Sequence, residues 1–422
     1  MTGELGELVK SGDGKIHTGP FGSQLHASDY VEDGIPCIMP ANMKNSRVDL
    51  TSISYISELD AKRLSKYLVK ENDIIYSRRG DVTQKALIRQ NEAGYFCGTG
   101  CLLLRPGSNF DARFLTYYLS TSEIQKWIVS QAVGATMPNL NTGILSRLPF
   151  NGPEKLEQSK IADVLSVIEN KIELNNQINT ELEAMAKTLY DYWFVQFDFP
   201  DADGKPYKSS GGKMVYSKVL KREIPEGWEV KPVSKIIEVR DGTHDSPKPS
   251  EKGEYLITSK HLQPSGIDFS NAYFISYEDF EAVNKRSKVD EGDFLISMIG
   301  TIGLSQWVMK ITTPFAIKNI GLFKTSQSPE YADYIFASVT SSYGKAYLQQ
   351  NQSTGTSQPY VTLGTLRGIP ITIPSKNVFD DFNTKVKPTH KLLYENATEN
   401  QKLVELRDWL LPMLMNGQVT VK

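Results

Sequence analysis

The 422-residue chain has few of the features that define several protein classes. It holds only Cys37, Cys97 and Cys101, and an odd number in so long a chain favours free thiols in a reducing compartment over a disulfide framework. The net charge of −2 at pH 7 gives no general attraction to nucleic acid. No run of 18 apolar residues and no signal-like segment occurs, so we expect no membrane span and a cytoplasmic protein.

Motifs that bind cofactors and metals are also missing. The sequence has no GxGxxG, no GxxxxGK(S/T) and no Asn/Asp-Pro-Pro-Tyr/Phe tetrapeptide, and its five histidines show no HExxH spacing. In TGPFGSQL, Thr18–Leu25, two residues separate the glycines where a nucleotide P-loop needs four. We therefore expect no S-adenosylmethionine, ATP, Mg²⁺ or zinc site, no catalytic residues and no enzyme activity of the chain by itself.

An internal repeat at an offset of about 220 residues organises the chain. YLVKENDIIYSRRGDV (67–82) matches SKVDEGDFLISMIGTI (287–302), with Asp73 opposite Asp293, and residues 133–150 match 353–371. The repeat predicts an α/β (α+β) fold with two similar mixed α/β domains, each rich in strands. A short helical patch is expected in each domain, such as residues 114–131 in the first.

Apolar residues at three- and four-residue steps follow each domain and predict two long helices. A narrow apolar seam needs a partner helix, and the nearest partner is the repeat itself, so we expect an antiparallel coiled-coil pair and a pseudo-two-fold arrangement. Pro388 should break or kink the second helix near its start. TLYDYWF (188–194) should be core at the end of the pair. The predicted seam is Ile168, Ile172, Leu182, Leu189, Leu393, Leu403 and Leu410.

The predicted boundaries place domain one at 1–152, a helix at 153–196, a Gly/Ser/Lys-rich linker at 197–227, domain two at 228–374 and a second helix at 375–422. Two different domains on a two-fold frame suit double-stranded DNA, whose local symmetry is the same, and predict a split, asymmetric target. Residues 154–194 hold four basic and eight acidic side chains, so the first helix suits protein better than DNA.

Several spaced segments carry a family resemblance. TGPFGSQL with YVEDGIPCIMPANM, EIPEGWEV with DGTHDSPKP, and PDADGKPYKSSGGKMVY together resemble the specificity subunit of Type I restriction-modification systems. KIELNNQINTELEAMAKTLYDYWF and NATENQKLVELRDWLLPMLMNGQ resemble the helical spacers of that family. The resemblance implies two target recognition domains that each read half of a bipartite DNA target. It also implies that the two long helices act as spacers and that the chain assembles with two methyltransferase subunits and with ATP-dependent restriction and translocation subunits. In such a complex the partner subunits carry out the catalysis.

Two other functions fit the residues. One is an interaction scaffold of a phage-defence complex whose two domains bind protein. The other is a self-contained restriction or methylation enzyme with a hidden site, against which the missing cofactor motifs argue. A steep salt dependence of DNA binding by the assembled complex would separate a DNA reader from a scaffold.

Candidate DNA contacts are side chains at strand ends and turns. Arg78 and Arg79 follow an apolar strand and suit guanine O6 and N7, although a solvated pair or a salt bridge to Asp81 is the alternative. Amides and hydroxyls in paired loops suit adenine and phosphates, or simply hold the loops together. For the histidines, a structural role is the simpler alternative. The predicted set is Ser23, Gln24, Arg78, Arg79, Thr136, Asn139, Thr243, His244, Lys260, His261, Thr356, Ser357, Gln358 and Tyr360.

Overall fold

A computed structural model describes residues 1–132, 138–263, 266–269, 271–353 and 358–421. The chain divides into two compact units: Met1–Glu173 with Asn400–Lys422, and Leu174–Glu399. Each unit combines a globular α/β part with a portion of each of two long helices. Within the described ranges, no helix is both long enough and apolar enough to cross a membrane.

Short strands and helices form the globular part of the first unit. Its strands are β1 (Thr2–Glu4), β2 (Lys15–Thr18), β3 (Tyr30–Val31), β4 (Ile35–Ile38), β5 (Met43–Lys44), β6 (Arg47–Val48), β7 (Ser54–Ile56), β8 (Ile74–Ser77), β9 (Lys85–Leu87), β10 (Phe96–Cys97), β11 (Cys101–Arg105) and β12 (Pro149–Asn151). Its helices are α1 (Leu5–Ser11), α2 (Glu58–Arg63), α3 (Ala112–Tyr118), α4 (Ser122–Gln131) and α5 (Thr142–Ser146), before the long helix α6 (Lys155–Tyr190).

Two sheets frame the first unit. The order β2-β11-β8-β9 is antiparallel throughout, whereas β10-β4-β7-β3 contains the parallel pair β10/β4. Successive side chains of a strand point to opposite faces. Ile74 and Tyr76 of β8 accordingly join one hydrophobic core while Ile75 joins another. The central strand is therefore covered on both sides.

The second unit has a matching set of elements. Its strands are β13 (Met214–Ser217), β14 (Arg222–Pro225), β15 (Glu229–Pro232), β16 (Val239–Asp241), β17 (Glu254–Thr258), β18 (Leu262–Gln263), β19 (Gly266–Ile267), β20 (Tyr273–Ile275), β21 (Phe294–Ser297), β22 (Ser305–Trp307), β23 (Phe315–Lys318), β24 (Ile320–Phe323) and β25 (Pro370–Ile373). Its helices are α7 (Tyr277–Ser287), α8 (Pro329–Thr340), α9 (Ser342–Gln350), α10 (Leu363–Arg367) and the long α11 (Lys376–Met415).

The sheets of the second unit repeat the topology of the first. The order β16-β24-β21-β22 matches β2-β11-β8-β9, again antiparallel at every pair. The order β20-β17-β23 matches β7-β4-β10, with the parallel pair at the same place. The predicted mixed α/β repeat is confirmed.

The segment 197–227, predicted as a linker, is folded. Strands β13 and β14 pair as an antiparallel hairpin. Phe197 and Phe199 are buried, and their ring centroids lie 5.7 Å and 5.0 Å from that of Trp228. These aromatic side chains supply a core that the glycines, serines and lysines around them do not predict.

The long helices pack antiparallel within each unit. In the first unit, Leu165 near the start of α6 shares a core with Leu414 near the end of α11. In the second unit, Tyr190 at the end of α6 shares a core with Phe382 near the start of α11. The predicted antiparallel pair is confirmed, and so is the core role of TLYDYWF, whose Tyr190, Trp193 and Phe194 are buried.

The seam between the helices is only partly closed. Of the seven predicted seam residues, Ile168 is buried and the other six are half-buried. Polar pairs interrupt the seam in the second unit: the Asn175 amide donates to Glu399 at 2.8 Å, and the Asn396 amide donates to Asn179 at 2.8 Å.

The expected break at Pro388 is wrong, because α11 runs without interruption from Lys376 to Met415. A proline inside a helix removes one hydrogen-bond donor and leaves the carbonyl four residues earlier unpaired. Here Pro388 and Thr384 are both exposed, so water can solvate that carbonyl. The residues on either side, such as buried Val386, hold the helix against the second core.

An ion pair with a buried carboxylate closes the same sheet position in each unit. Asp73, just before β8, accepts from Arg105 at the end of β11, at 2.7 Å from Nε and 2.5 Å from a terminal nitrogen. Asp293, just before β21, accepts from Lys324 Nζ at 2.5 Å. Each carboxylate also accepts a backbone N–H at 2.8 Å from three residues earlier, which closes the turn before the strand.

Loss of one member of the ion pair should destabilise the fold, because the other member stays buried without its counter-ion. Lys324→Met leaves the Asp293 carboxylate buried without its cation, and we expect the free energy of unfolding to fall by about 3–5 kcal/mol. Urea unfolding measures the loss. Lys376→Met, which breaks an exposed pair with Asp380, is the matched control and should change it by less than about 1 kcal/mol. Equally small effects of both variants would show that the buried pair contributes no more to stability than the exposed pair.

Candidate nucleic-acid interface

The end of the central strand is held in the same way in both units. In the first, the Leu140 N–H donates to the Arg78 carbonyl at 2.8 Å, and Arg79 forms an antiparallel bridge with Asn139. In the second, the Val361 N–H donates to the Met298 carbonyl at 2.9 Å, and Ile299 bridges Tyr360. In both units, main-chain hydrogen bonds therefore hold a loop against the strand end in the same way, independently of the side chains.

The side chains on this shared frame differ in kind. Arg78 is half-buried and Arg79 is exposed in the first unit. The equivalent Met298 is buried and Ile299 is half-buried in the second unit. One strand end thus presents guanidinium groups and the other presents only apolar side chains.

The turn TGPFGSQL lies next to this strand end. The Gly19 N–H donates to the Cys101 carbonyl at 2.9 Å, and a Cβ added at Gly19 would lie 2.3 Å from the Gly98 oxygen. In the second unit, the Gly242 N–H donates to the Ile320 carbonyl at 2.9 Å, and its added Cβ would lie 2.4 Å from the Ile317 oxygen. Both turns need glycine because the backbones approach too closely for any side chain.

Gln24 organises the turn from within. Its side-chain oxygen accepts from the Tyr67 hydroxyl at 2.8 Å and from the Phe21 N–H at 3.3 Å. Its carbonyl accepts from both terminal nitrogens of Arg63 at 3.3 Å. These bonds occupy the carboxamide oxygen of half-buried Gln24, whose predicted DNA contact stays a prediction, and Ser23 is exposed beside it.

His244 occupies the corresponding turn of the second unit and is exposed. Its Nε2 lies 2.9 Å from Asp241 Oδ2, and its Nδ1 lies 2.9 Å from Asn319 Oδ1. Its neighbour Thr243 donates its N–H to the Ile317 carbonyl at 3.0 Å, so the turn is tied to β23. The imidazole is therefore held at the surface between the side chains of Asp241 and Asn319.

Asn139, Gln358 and Tyr360 lie in or beside the strand-end loops, whereas Lys260 lies in a short 3-10 helix after β17. Lys260 and Gln358 are exposed, whereas Asn139 and Tyr360 are half-buried. Thr136, Thr356 and Ser357 lie outside the described residues.

The structure corrects the interpretation of His261, which is buried. Its Nδ1 accepts the Thr258 N–H at 2.9 Å, and its Nε2 lies 3.3 Å from the Asn271 carbonyl. Burial lowers the pKa of His261, which favours the neutral ring. Both nitrogens serve the fold of a short turn, so the side chain cannot meet DNA.

The described residues contain no cluster of His, Cys, Asp and Glu that could hold a metal ion. The three cysteines are free and buried, and burial raises the pKa of Cys37 to about 12. A protonated thiol is a poor metal ligand and a poor nucleophile.

Comparison with known proteins agrees with this geometry. The model of the Type I restriction modification DNA specificity domain matches residues 2–184 and again residues 225–386. The chain belongs to this family. A DNA specificity domain that occurs twice in one chain assigns to it the DNA specificity role of a Type I restriction-modification system.

Curated relatives share the family over most of their length. The Type I restriction enzyme HindI specificity subunit of Haemophilus influenzae is 25% identical over 438 residues, which cover 90% of this chain and 94% of the relative. The MjaIX specificity subunit of Methanocaldococcus jannaschii is 24% identical, with 93% and 89% covered. The solved S subunit from M. genitalium has a TM-score of 0.54 at 15% identity, with 98% and 96% covered, and therefore shares the fold.

Sequence reasoning missed Lys85, which is buried in β9 beneath the Arg78–Arg79 turn of this specificity domain. Its Nζ lies 5.7 Å from the centroid of the Tyr76 ring and 3.5 Å from the Thr83 carbonyl, at the limit of a hydrogen bond. Burial lowers the pKa of Lys85 to about 8. Ser305 occupies the equivalent register position in the second unit, so the lysine is specific to the first.

Lys85 should make the stability of the chain depend on pH. In the unfolded chain its pKa is near 10.5, so between pH 8 and 10.5 the unfolded state binds more protons and stability rises with pH. At pH 7 the buried charge opposes folding, and we expect Lys85→Met to raise the free energy of unfolding by about 3 kcal/mol. The gain should shrink at pH 10. Urea unfolding at both pH values checks this, with exposed Lys62→Met as control; a gain independent of pH would refute it.

Proposed function

We propose that this chain selects the DNA target of a Type I restriction-modification complex, with each unit reading one half of a bipartite, asymmetric site. One observation carries the proposal: the two units hold the same strand end and loop by equivalent main-chain bonds but present different side chains. Two copies of one frame with different chemistry suit two half-sites of different sequence.

In the first unit, we assign base reading to Arg78 and backbone contacts to Arg79, Ser23 and Asn139. A guanidinium can donate to guanine O6 and N7 in the major groove, and hydroxyls and amides suit phosphates and adenine. In the second unit the corresponding group is Thr243, His244, Lys260, Gln358 and Tyr360. There the donors lie on the loops, because the strand end is apolar.

The long helices are proposed to set the spacing of the half-sites and to dock two methyltransferase subunits. Large apolar side chains remain exposed on them. In the first unit these are Leu156, Val167, Leu406 and Trp409, and in the second unit they are Leu174, Ile178, Met185 and Leu392. Exposed large apolar side chains on a helix suit contact with another protein. Under this proposal the chain is not an enzyme, restriction and translocation subunits join the complex, and the complex works in the cytoplasm.

The methylated motif of a cell tests the DNA-reading role. Cells that express the chain with a Type I methyltransferase partner should gain adenine methylation at one split motif, which methylation sequencing detects. Arg78→Ala with Arg79→Ala should relax one half of that motif, since loss of a bidentate contact removes about 1–3 kcal/mol of discrimination.

His244→Ala is the reciprocal variant and should alter only the other half of the motif. Each variant thus has an internal control in the half that it leaves unchanged. If expression of the chain changes no methylated motif, the proposed function is wrong.

Helix docking has a separate test. Trp409 is 61% exposed on α11, and Trp409→Ser should weaken co-purification of the methyltransferase subunits, because burial of a large aromatic stabilises an interface by about 2 kcal/mol or more. Leu59→Ser, at a position 77% exposed in the globular part of the same unit, is the matched control and should leave co-purification intact. Equal recovery with both variants would contradict the assignment.

A further inference from the structure

Phe21 projects from the turn TGPFGSQL and belongs to none of the groups assigned above. Its side chain is 53% exposed. A single exposed apolar side chain needs no explanation by itself. Here, however, the guanidinium carbon of Arg78 lies 5.5 Å from the centroid of the Phe21 ring, within the range of a cation–π contact.

The turn fixes the position of this ring. The Gln24 N–H donates to the Phe21 carbonyl at 2.8 Å, and the Phe21 N–H donates back to the Gln24 side chain at 3.3 Å. Tyr67 and Arg63 hold Gln24 in turn, and the close approach at Gly19 anchors the start of the turn. The backbone of Phe21 is therefore tied to the rest of the unit on both sides.

The ring and the protein interior together restrict the Arg78 side chain. Its Nε is buried and has no hydrogen-bond partner in the described part of the chain. The guanidinium carbon lies over the Phe21 ring, 5.5 Å from its centroid. The remaining donors are the two terminal nitrogens, and a bidentate contact with O6 and N7 of one guanine needs two neighbouring donors in one plane.

We propose that Phe21 is a positioning residue, which holds the Arg78 guanidinium so that its terminal nitrogens read one guanine of the first half-site. This inference rests on the proposed function. Phe21 limits the orientations of a long, flexible side chain before DNA arrives, so less conformational entropy is lost on binding.

The second unit offers a comparison within the same chain. His244 stands at the place of Phe21, and buried Met298 stands at the place of Arg78. His244 is held by Asp241 and Asn319, and the strand end beside it carries Met298 and Ile299, which have no guanidinium to orient. Substitution of Phe21 should therefore act on one base pair in one half of the target.

The test measures methylation of DNA duplexes by the assembled methyltransferase complex, with the target sequence varied one base pair at a time. Phe21→Ala should lower discrimination at one G·C pair by roughly two- to fivefold, the weight of an exposed cation–π contact. Arg78→Ala should lower discrimination at the same pair by roughly tenfold or more. The double variant should lose as much discrimination at this pair as Arg78→Ala alone.

Further variants separate positioning from structure. Phe21→Trp keeps an aromatic face and should restore discrimination, whereas Phe21→Leu keeps apolar bulk and should behave like Phe21→Ala. Leu50→Ala removes a side chain that is 52% exposed elsewhere in the same unit and should have no effect. Methylation that depends on the unchanged half-site reports in every case that the complex has assembled.

The outcomes are distinct. If Arg78→Ala relaxes one base pair and Phe21→Ala does not, the positioning role is wrong while the proposed function stands. The role is also wrong if Phe21→Leu restores discrimination as fully as Phe21→Trp, because bulk alone would then suffice. A chain that directs methylation to no motif at all would overturn the proposed function itself.

Discussion

A buried ion pair at one end of a four-residue strand sets the geometry of each unit. Asp73 with Arg105, and Asp293 with Lys324, lock the central strand to its antiparallel neighbour, and the strand spans only about 13 Å before its other end presents the residues that we propose to contact DNA. A slip of one residue would turn every side chain to the opposite face. In the register that the pair closes, Arg78 is half-buried and Arg79 meets solvent.

Beyond that strand, main-chain atoms fix the positions of the loops, and side chains supply the groups that differ between the two units. Main-chain hydrogen bonds at Arg78 and Met298 hold the loops, and glycines at positions 19 and 242 permit the close approach of the turns. None of these interactions depends on the side chains that we propose to contact DNA. One unit can thus place a cation at the strand end beside an aromatic turn, and the other an imidazole on the turn beside an apolar strand end. The shared main-chain arrangement accommodates either set of side chains.

The repeat, the mixed α/β class and the antiparallel helices could be predicted because they depend on periodic patterns that extend over many residues. The unbroken course of α11 through Pro388 and the folded state of residues 197–227 could not. The first depends on solvent access around one carbonyl, and the second on the packing of Trp228 against two phenylalanines about 30 residues earlier. Site prediction by residue type had the same weakness. It included His261, which the fold buries, and it passed over Phe21, whose relation to Arg78 exists only in three dimensions.

The division of the chain has a consequence for biosynthesis. Residues 400–421 complete the first unit, and Leu414 and Met415 fill its core beside Leu165, although some 230 residues of the second unit are translated in between. The second unit is continuous in sequence and needs no later residue to fold, whereas the first keeps an apolar groove exposed until residues 400–421 reach it. The first unit is therefore the first to be translated and the last to complete its core. Chains truncated shortly before residue 400 should accordingly carry one well-packed unit and one that attracts chaperones and proteases.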